Sequence, residues 1–256
     1  MSKSIHELLS LKGKVALVTG SRTGIGRAIL FGLAEAGADV IQHAMAPRES
    51  MEADGESIKA MGQRHMAISA DLQEADCDRK IFNAIGDFGS PDILILNASQ
   101  QIRKPFEEIT DADFDAQMHI NFRSSMKLVQ RFLPAMKQKG WGRIVTIGSI
   151  QQCVPHPDMM VYAASKEAQM NMVTYLAGMY APYGITVNNV APGTVLTGRN
   201  EAVLKDEAYR GKIEQEIPAG FIGEPSDCVM PVVMLCGEGG RFLTGENIYV
   251  DGGKHL

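Results

Sequence analysis

The sequence is sparing with cysteine. Cys77, Cys153, Cys228 and Cys236 are the only four in 256 residues; none sits at a CxxC spacing, and no histidine pair joins them at zinc-ligand spacing. That pattern excludes a disulfide scaffold and a zinc module, and no metal is expected. The four read as small buried hydrophobes of a reducing compartment. A basic excess is also lacking. The 25 lysines and arginines stand against 30 aspartates and glutamates, a net charge of −5. Such a chain has no broad attraction to nucleic acid or to an anionic membrane. Residues 1–10 carry Lys3, His6 and Glu7 but no apolar core of a secretory signal. The longest charge-free stretch, 168–198, has the length of a membrane span, yet Asn171, Pro182, Asn188, Asn189 and Pro192 interrupt it. It reads as helix, turn, strand and loop. Neither a Ser/Gly/Pro linker nor an internal repeat divides the chain, so a soluble, cytoplasmic, single-domain protein is expected.

What is present is ordinary globular material: 45% hydrophobic and 21% charged residues. A chain of this length buries roughly 70–75% of its unfolded surface and needs no covalent staple. Short apolar runs rich in Val, Ile and Leu recur at 15–19, 40–42, 66–69, 93–96, 144–148, 186–190 and 248–250. They lack alternation, as strands buried on both faces do. Between them lie amphipathic, helix-length stretches at 27–36, 52–61, 76–88, 114–139 and 160–180. Repeated strand-then-helix order predicts an α/β fold, a doubly wound parallel sheet with helices on both faces, in one domain spanning 1–256. The segment 193–225 is the least regular. It is read either as a mobile flap over a site or as a surface helix pair.

The first run ends at Thr19, and Gly20-Ser21-Arg22-Thr23-Gly24-Ile25-Gly26 follows before a helix. Glycine permits positive φ and lets backbone N–H groups approach a pyrophosphate at a helix N-terminus. The spacing is GxxxGxG rather than the GxGxxG dinucleotide fingerprint. Its place between a buried strand and an amphipathic helix points to nucleotide binding all the same.

Farther on, Tyr162 and Lys166 stand at i and i+4 and share a helix face. A free tyrosine has a pKa near ~10, too high for a base at neutral pH, and an adjacent ammonium lowers it. Chance also places such pairs on solvated helix faces. Ser149 follows the fifth run, at the carboxyl end where open parallel sheets bind ligands; as an alternative it caps a helix. Asn121 falls inside the 114–139 stretch, where asparagine has poor propensity, so it is either exposed and neutral or kept for a polar role inside.

In order and spacing, these residues resemble the short-chain dehydrogenase/reductase family over essentially the whole chain. The resemblance rests on TGxxxGxG at 19–26, Asp71-Leu72, Asn97-Ala98, Asn121, Ser149, and YxxxK at 162–166. Asn188, Pro192-Gly193 with Thr197, and Asp251-Gly252-Gly253 extend it. It implies a seven-stranded Rossmann-type sheet in order 3-2-1-4-5-6-7, a nicotinamide cofactor and commonly a homotetramer. It implies further that Tyr162 is the general acid/base, that Ser149 holds the substrate oxygen, and that Lys166 binds the ribose hydroxyls. Asn121 would hold a water linking Lys166 to solvent. Gly20, Arg22, Thr23, Gly24, Ile25, Gly26, His43, Asp71, Leu72, Asn97, Ala98, Pro192, Gly193, Thr194 and Thr197 would complete the cofactor site. One departure stands out: Ser99 occupies the place of a glycine that lets the backbone approach the cofactor.

The second strand ends Gln42-His43-Ala44, with no acid to hold ribose hydroxyls. Arg22, His43 and Arg48 are cations, or potential cations, for a 2′-phosphate, so NADP(H) is favoured and NAD(H) is the alternative. Loops after the fourth and fifth strands and the 193–225 segment offer Gln101, Arg103, Gln151, His156 and Arg199 to a substrate. Amides suit hydroxyls and a guanidinium suits a carboxylate. The segment 101–105 is similar to gluconate 5-dehydrogenase-like members, so a sugar-acid or polyol-like small molecule is expected. The rival is a 3-oxoacyl-[acyl-carrier-protein] reductase. At the places judged to match that enzyme's carrier-gripping arginines stand Pro134 and Gly178, although Arg123, Lys127 and Arg131 are near in sequence. A non-catalytic redox sensor is the remote alternative.

Overall fold

The computed structural model describes residues 3–256. The strands are β1 Val15–Thr19, β2 Asp39–Ala44, β3 His65–Ser69, β4 Ile93–Leu96, β5 Gly142–Ile147, β6 Ile185–Pro192 and β7 Asn247–Val250. They form one parallel sheet in the order β3-β2-β1-β4-β5-β6-β7. Five long or core-forming helices cover it: α2 Gly24–Glu35, α4 Cys77–Ile85, α6 Ser124–Lys139, α7 Met160–Tyr180 and α10 Val229–Cys236. The shorter helices are α1 Ile5–Leu9, α3 Glu52–Ala60, α5 Asp111–Met118, α8 Gly198–Leu204 and α9 Glu207–Gln215.

Successive strand side chains point to opposite faces, so each strand feeds two cores. Leu17, Leu94 and Leu96 pack with Ile81, Leu128, Phe132 and Val173, the side covered by α4, α6 and α7. Ala16, Val18, Ile93 and Ile95 pack with Ile29, Leu33, Val232 and Leu235 under α2 and α10. Fully burying one such side chain is worth about 1.5–3 kcal/mol, so neither face is left bare. This is why the strand runs are continuous rather than alternating. From β1 the chain winds outward through β2 to β3, and from β4 the other way to β7. The reversal between β1 and β4 opens a crevice at the strands' carboxyl ends.

Two expectations need amendment, and one open alternative narrows. The 114–139 stretch is not one helix: α5 and α6 are separated by a π-helical turn, His119–Arg123, that contains Asn121. Of the two readings of the 193–225 segment, the helices of the second are present. The segment holds α8 and α9, and its two ends meet through a bridge between Val195 and Gly223. Cys153 is exposed, whereas Cys77, Cys228 and Cys236 are buried; burial pushes the Cys228 and Cys236 thiols up to about 12. Among the described residues no helix is long and apolar enough to cross a membrane.

Helix α2 lies against α10 through a glycine. A Cβ on Gly32 would stand 2.2 Å from Val229 Cγ1. Gly32→Ala gains about 1 kcal/mol of helix propensity and meets an overpacking cost of ~1–3 kcal/mol against a stiff β-branched neighbour. We therefore expect a net loss of up to about 2 kcal/mol in urea denaturation. The Gly32→Ala/Val229→Ala double variant should lose less than the two single losses added together.

Candidate active site

A cleft of about 880 Å³ opens at the carboxyl ends of the central strands. Its floor is two loops bolted together. Thr19 Oγ1 accepts from the Asn97 and Ala98 N–H groups at 3.0 and 3.1 Å and donates to the Ile95 carbonyl at 3.3 Å. Asn97 Nδ2 donates to the Thr19 and Gly20 carbonyls, both at 2.9 Å. Only glycine fits here: Gly20 has φ +63°, and a Cβ on it would stand 2.9 Å from Ala98 Cα; a Cβ on Gly26 would stand 2.5 Å from the Gly20 carbonyl oxygen. Helix α2 starts at Gly24 with Thr23 in the N-cap position, but Thr23 makes no capping hydrogen bond. The first N–H groups of α2 therefore face the cleft without a side-chain acceptor, an arrangement that suits a diphosphate. Thr197 forms the opposite wall, its Cγ2 3.3 Å from where a Cβ on Gly24 would stand. Thr23, Ile25, Asp71, Leu72, Pro192, Gly193 and Thr194 also line this part, as the sequence indicates.

Tyr162 and Lys166 lie one turn apart on α7, and both are buried. Tyr162 reaches the cleft wall; Lys166 is not part of the wall but lies behind it, with Nζ 5.8 Å from the tyrosine ring centroid. Lys166 Nζ donates to the Ile147 carbonyl at 2.7 Å and to Gln169 Oε1 at 2.9 Å. Burial first, then the charge of Arg199, lowers its pKa to about 7. Ser149, just past β5, lines the cleft. Its Oγ accepts from the Gln151 N–H at 3.2 Å, which leaves its O–H free to donate into the cleft.

Asn121 is buried, so of its two readings the inward polar one holds. Its side-chain contacts are with the loop after β4 and with α7. Asn121 Oδ1 accepts from the Gln100 N–H at 2.7 Å, and Nδ2 donates to the Gln100 carbonyl at 2.9 Å and to Ser165 Oγ at 2.8 Å. The path to Lys166 runs through protein groups: Gln169 Nε2 donates to Ser125 Oγ at 3.0 Å, and Ser125 Oγ donates to the Asn121 carbonyl at 3.1 Å. The Ser125 contact is the ordinary one of a helical serine with the carbonyl four residues back.

His43 is corrected outright as a candidate cation. It lines the cleft, but its ring is buried. Its Nδ1 accepts from the Gly20 N–H at 3.4 Å, and its Nε2 lies 3.2 Å from the Ala70 carbonyl. That pairing fits a neutral ring, and burial drives its pKa down to about 4. Next to it, Gln42 is spent on Ser21, Asp54 and His65. No carboxylate stands at the end of β2. Arg22 and Arg48 are exposed and form no ion pair among the described residues, and the Arg22 side chain does not line the cleft.

Gln101, Arg103, Gln151 and His156 line the opposite end with Arg199. Arg199 Nη2 donates to Ser99 O and Oγ at 2.9 and 3.0 Å, so the serine that replaces the usual glycine anchors the 193–225 segment. Sequence reasoning missed Tyr209, Lys212, Glu216 and Lys254, which also line this end. Lys254 had a signal: it lies just past the last strand's carboxyl end, as Ser149 lies past β5 and Asn97 past β4.

A family model described as enoyl-(acyl carrier protein) reductase matches residues 20–255. The chain is 34% identical over 252 residues to a 2-dehydro-3-deoxy-D-gluconate 5-dehydrogenase of Escherichia coli (strain K12), covering 97% of this chain and 98% of that protein. A 3-oxoacyl (acyl-carrier-protein) reductase of Agrobacterium tumefaciens C58, solved with NADP bound, superposes with a TM-score of 0.94 at 36% identity, over 99% and 98% of the two chains. A gluconate 5-dehydrogenase of Burkholderia cenocepacia J2315, in complex with NADP and tartrate, superposes with a TM-score of 0.92 at 29% identity, over 98% of each chain.

The buried ammonium has a measurable consequence. Lys166 titrates near 7 in the folded chain, against 10.5 ordinarily. Between those values the unfolded chain holds the extra proton, so this group makes stability rise with pH, by up to about 1.4 kcal/mol per unit. Lys166→Met should therefore gain most on the parent near pH 6 and progressively less towards pH 9. Urea denaturation of both proteins across that range checks it.

Proposed function

The chain belongs to the short-chain dehydrogenase/reductase family, and from that premise we propose that it is an NADP(H)-dependent oxidoreductase interconverting a secondary alcohol and a ketone, on a polar sugar-acid or polyol-like substrate. The observation that carries this reading is one cleft in which Ser149 and Tyr162, backed by buried Lys166, share a wall system with the uncapped N-terminus of α2. A nicotinamide dinucleotide supplies the hydride donor or acceptor. The Gly20–Gly26 loop, Thr194 and Thr197 hold its diphosphate; Asp71 and Leu72 flank the adenine; Asn97, Ala98, Pro192 and Gly193 shape the rest of its seat. Arg22 and Arg48 answer a 2′-phosphate, and the absence of an acid at the end of β2 fits the same choice. His43 serves as a neutral wall.

Tyr162 gives its hydroxyl proton to the carbonyl oxygen in reduction, or takes the alcohol proton in oxidation. Ser149 donates to the same oxygen and fixes its direction. Lys166 holds the ribose hydroxyls, and its ammonium stands behind the tyrosine that must pass through phenolate. Asn121, through Ser125 and Gln169, positions Lys166. The 193–225 segment acts as the flap over the substrate.

The substrate end favours an acid over a carrier-bound acyl chain. It is lined by Arg103, His156 and Arg199 with Gln101 and Gln151. Of the three residues that would compensate for missing carrier contacts, Arg123 in the π turn is exposed and forms no ion pair among the described residues, whereas the two on α6 are engaged at home. Arg131 pairs with Asp78 at 2.7 Å, and Lys127 donates to the Ala75 carbonyl at 2.5 Å beside the same aspartate.

We further infer a cytoplasmic homotetramer. Tyr175 and Met179 on α7, and Phe242 and Leu256 near the C-terminus, are large apolar side chains left exposed on the single chain. Light scattering at micromolar concentration should give four chains; a monomer would overturn this.

The deciding experiment is an initial-rate screen of keto-sugar acids, ketoses and an acetoacetyl thioester with NADPH and with NADH. Keto-sugar acids with NADPH should be turned over best, and efficient turnover of the thioester alone would reverse the substrate reading. Tyr162→Phe should lower kcat by about 10²–10⁴-fold while NADPH still binds. Normal turnover in that variant would sink the mechanism.

A further inference from the structure

The substrate end of the cleft carries a cation that none of the roles above employs. Lys254 lies three residues past Asp251, in a tail built to place it. Asp251 Oδ1 accepts from the Gly253 N–H at 3.0 Å, and Oδ2 accepts from the His255 N–H at 2.7 Å and lies 2.9 Å from His255 Nδ1. The His255 ring stacks on Tyr249 with centroids 3.9 Å apart. Gly252 and Gly253, at φ +63° and +88°, turn the chain back over the flap, and the Gly252 carbonyl accepts from the Ala219 N–H at 3.0 Å. The tail and the flap are thus one packed unit, with Lys254 between them.

Lys254 Nζ donates to Glu216 Oε2 at 3.0 Å; the lysine side chain is 13% exposed and its partner 45%. An ammonium has three donors, and one acceptor among the described residues is assigned to them. The surroundings are cationic. Arg103, Arg199, Lys212 and Lys254 line this end of the cleft against Glu216. Arg103 and Lys254 both act on His156, whose pKa falls through burial first and then through their charges, while Asp158 opposes. Glu216 is therefore the lone cleft-lining carboxylate here, more exposed than the cation it holds, at the mouth where an acid substrate enters.

We propose that Lys254 is a specificity-determining residue whose ammonium takes the substrate's carboxylate, displacing Glu216, the acceptor that now holds it. The inference rests on the sugar-acid reading and adds the residue that selects the acid. It also couples recognition to the flap, because Glu216 ends α9 and loses its tie to the tail when the substrate arrives.

The test uses the intact NADPH-loaded protein, with tartrate and threitol, an acid and a neutral polyol of equal length, as calorimetric probes. The parent should bind tartrate more tightly than threitol. Lys254→Met should lower the tartrate-over-threitol selectivity by about ten- to hundredfold, the worth of one charge-assisted hydrogen bond, and Lys254→Arg should restore most of it. Glu216→Gln, which removes the competing charge, should tighten tartrate. Equal loss of both probes in Lys254→Met, or weaker tartrate binding in Glu216→Gln, would make Lys254 a strap for the flap and overturn the proposal. So would a parent that does not distinguish the probes. Failure of the sugar-acid reading looks different: the parent reduces only the thioester in the rate screen, while Lys254 still governs tartrate binding.

Discussion

An ammonium can be buried only where acceptors are brought to it, and Lys166 sets that demand for the centre of this molecule. Its acceptors are the Ile147 carbonyl at the end of β5 and Gln169 one turn along α7. Gln169 must itself be held, by Ser125 at the start of α6, and Ser125 is held by the carbonyl of Asn121 in the π turn. Asn121 then fixes the backbone of Gln100 in the loop after β4 and Ser165 on α7. Two strands' ends and three helical elements are thereby set around one charge. The same network places Tyr162 at the cleft wall, so the chemistry and the packing rest on one set of bonds.

How much of this was legible in the sequence depends on whether a feature is local. The strand runs were, because a strand buried on both faces is apolar at every position, as Leu17 and Val18 are. The phosphate loop was, because Gly20 and Gly26 stand where a Cβ has no room. The break at Asn121 was not. The 114–139 stretch keeps its helical period, and the π turn answers the distant needs of Gln100 and Ser165. The charge of His43 was not legible either. A histidine at a strand end is a cation or a wall according to what closes over it, and here Gly20 and Ala70 take both ring nitrogens. Lys254 escaped because its place depends on a tail that only folds against the flap.

The two ends of the cleft are built of different materials. The cofactor end is made of backbone: glycines, strand-end carbonyls and N–H groups, tied by Thr19 and Asn97. The other end is made of long side chains from the loops after β4 and β5, the 193–225 segment and the tail, held by a few polar contacts such as Arg199 to Ser99 and Lys254 to Glu216. A substitution at the first end moves backbone against backbone. A substitution at the second exchanges one reach and charge for another.

That division lets side chains at the second end change without moving the backbone of the first. The two solved structures compared with this chain carry different names for their activities, yet both hold NADP and superpose on almost its whole length. Lys166, Tyr162 and Ser149 are positioned from below, by β5, α6 and α7, without a hydrogen bond from the 193–225 segment among the described residues. A change in the substrate can therefore be met by altering the side chains of α8, α9 and the tail, while the proton-transfer group keeps its place.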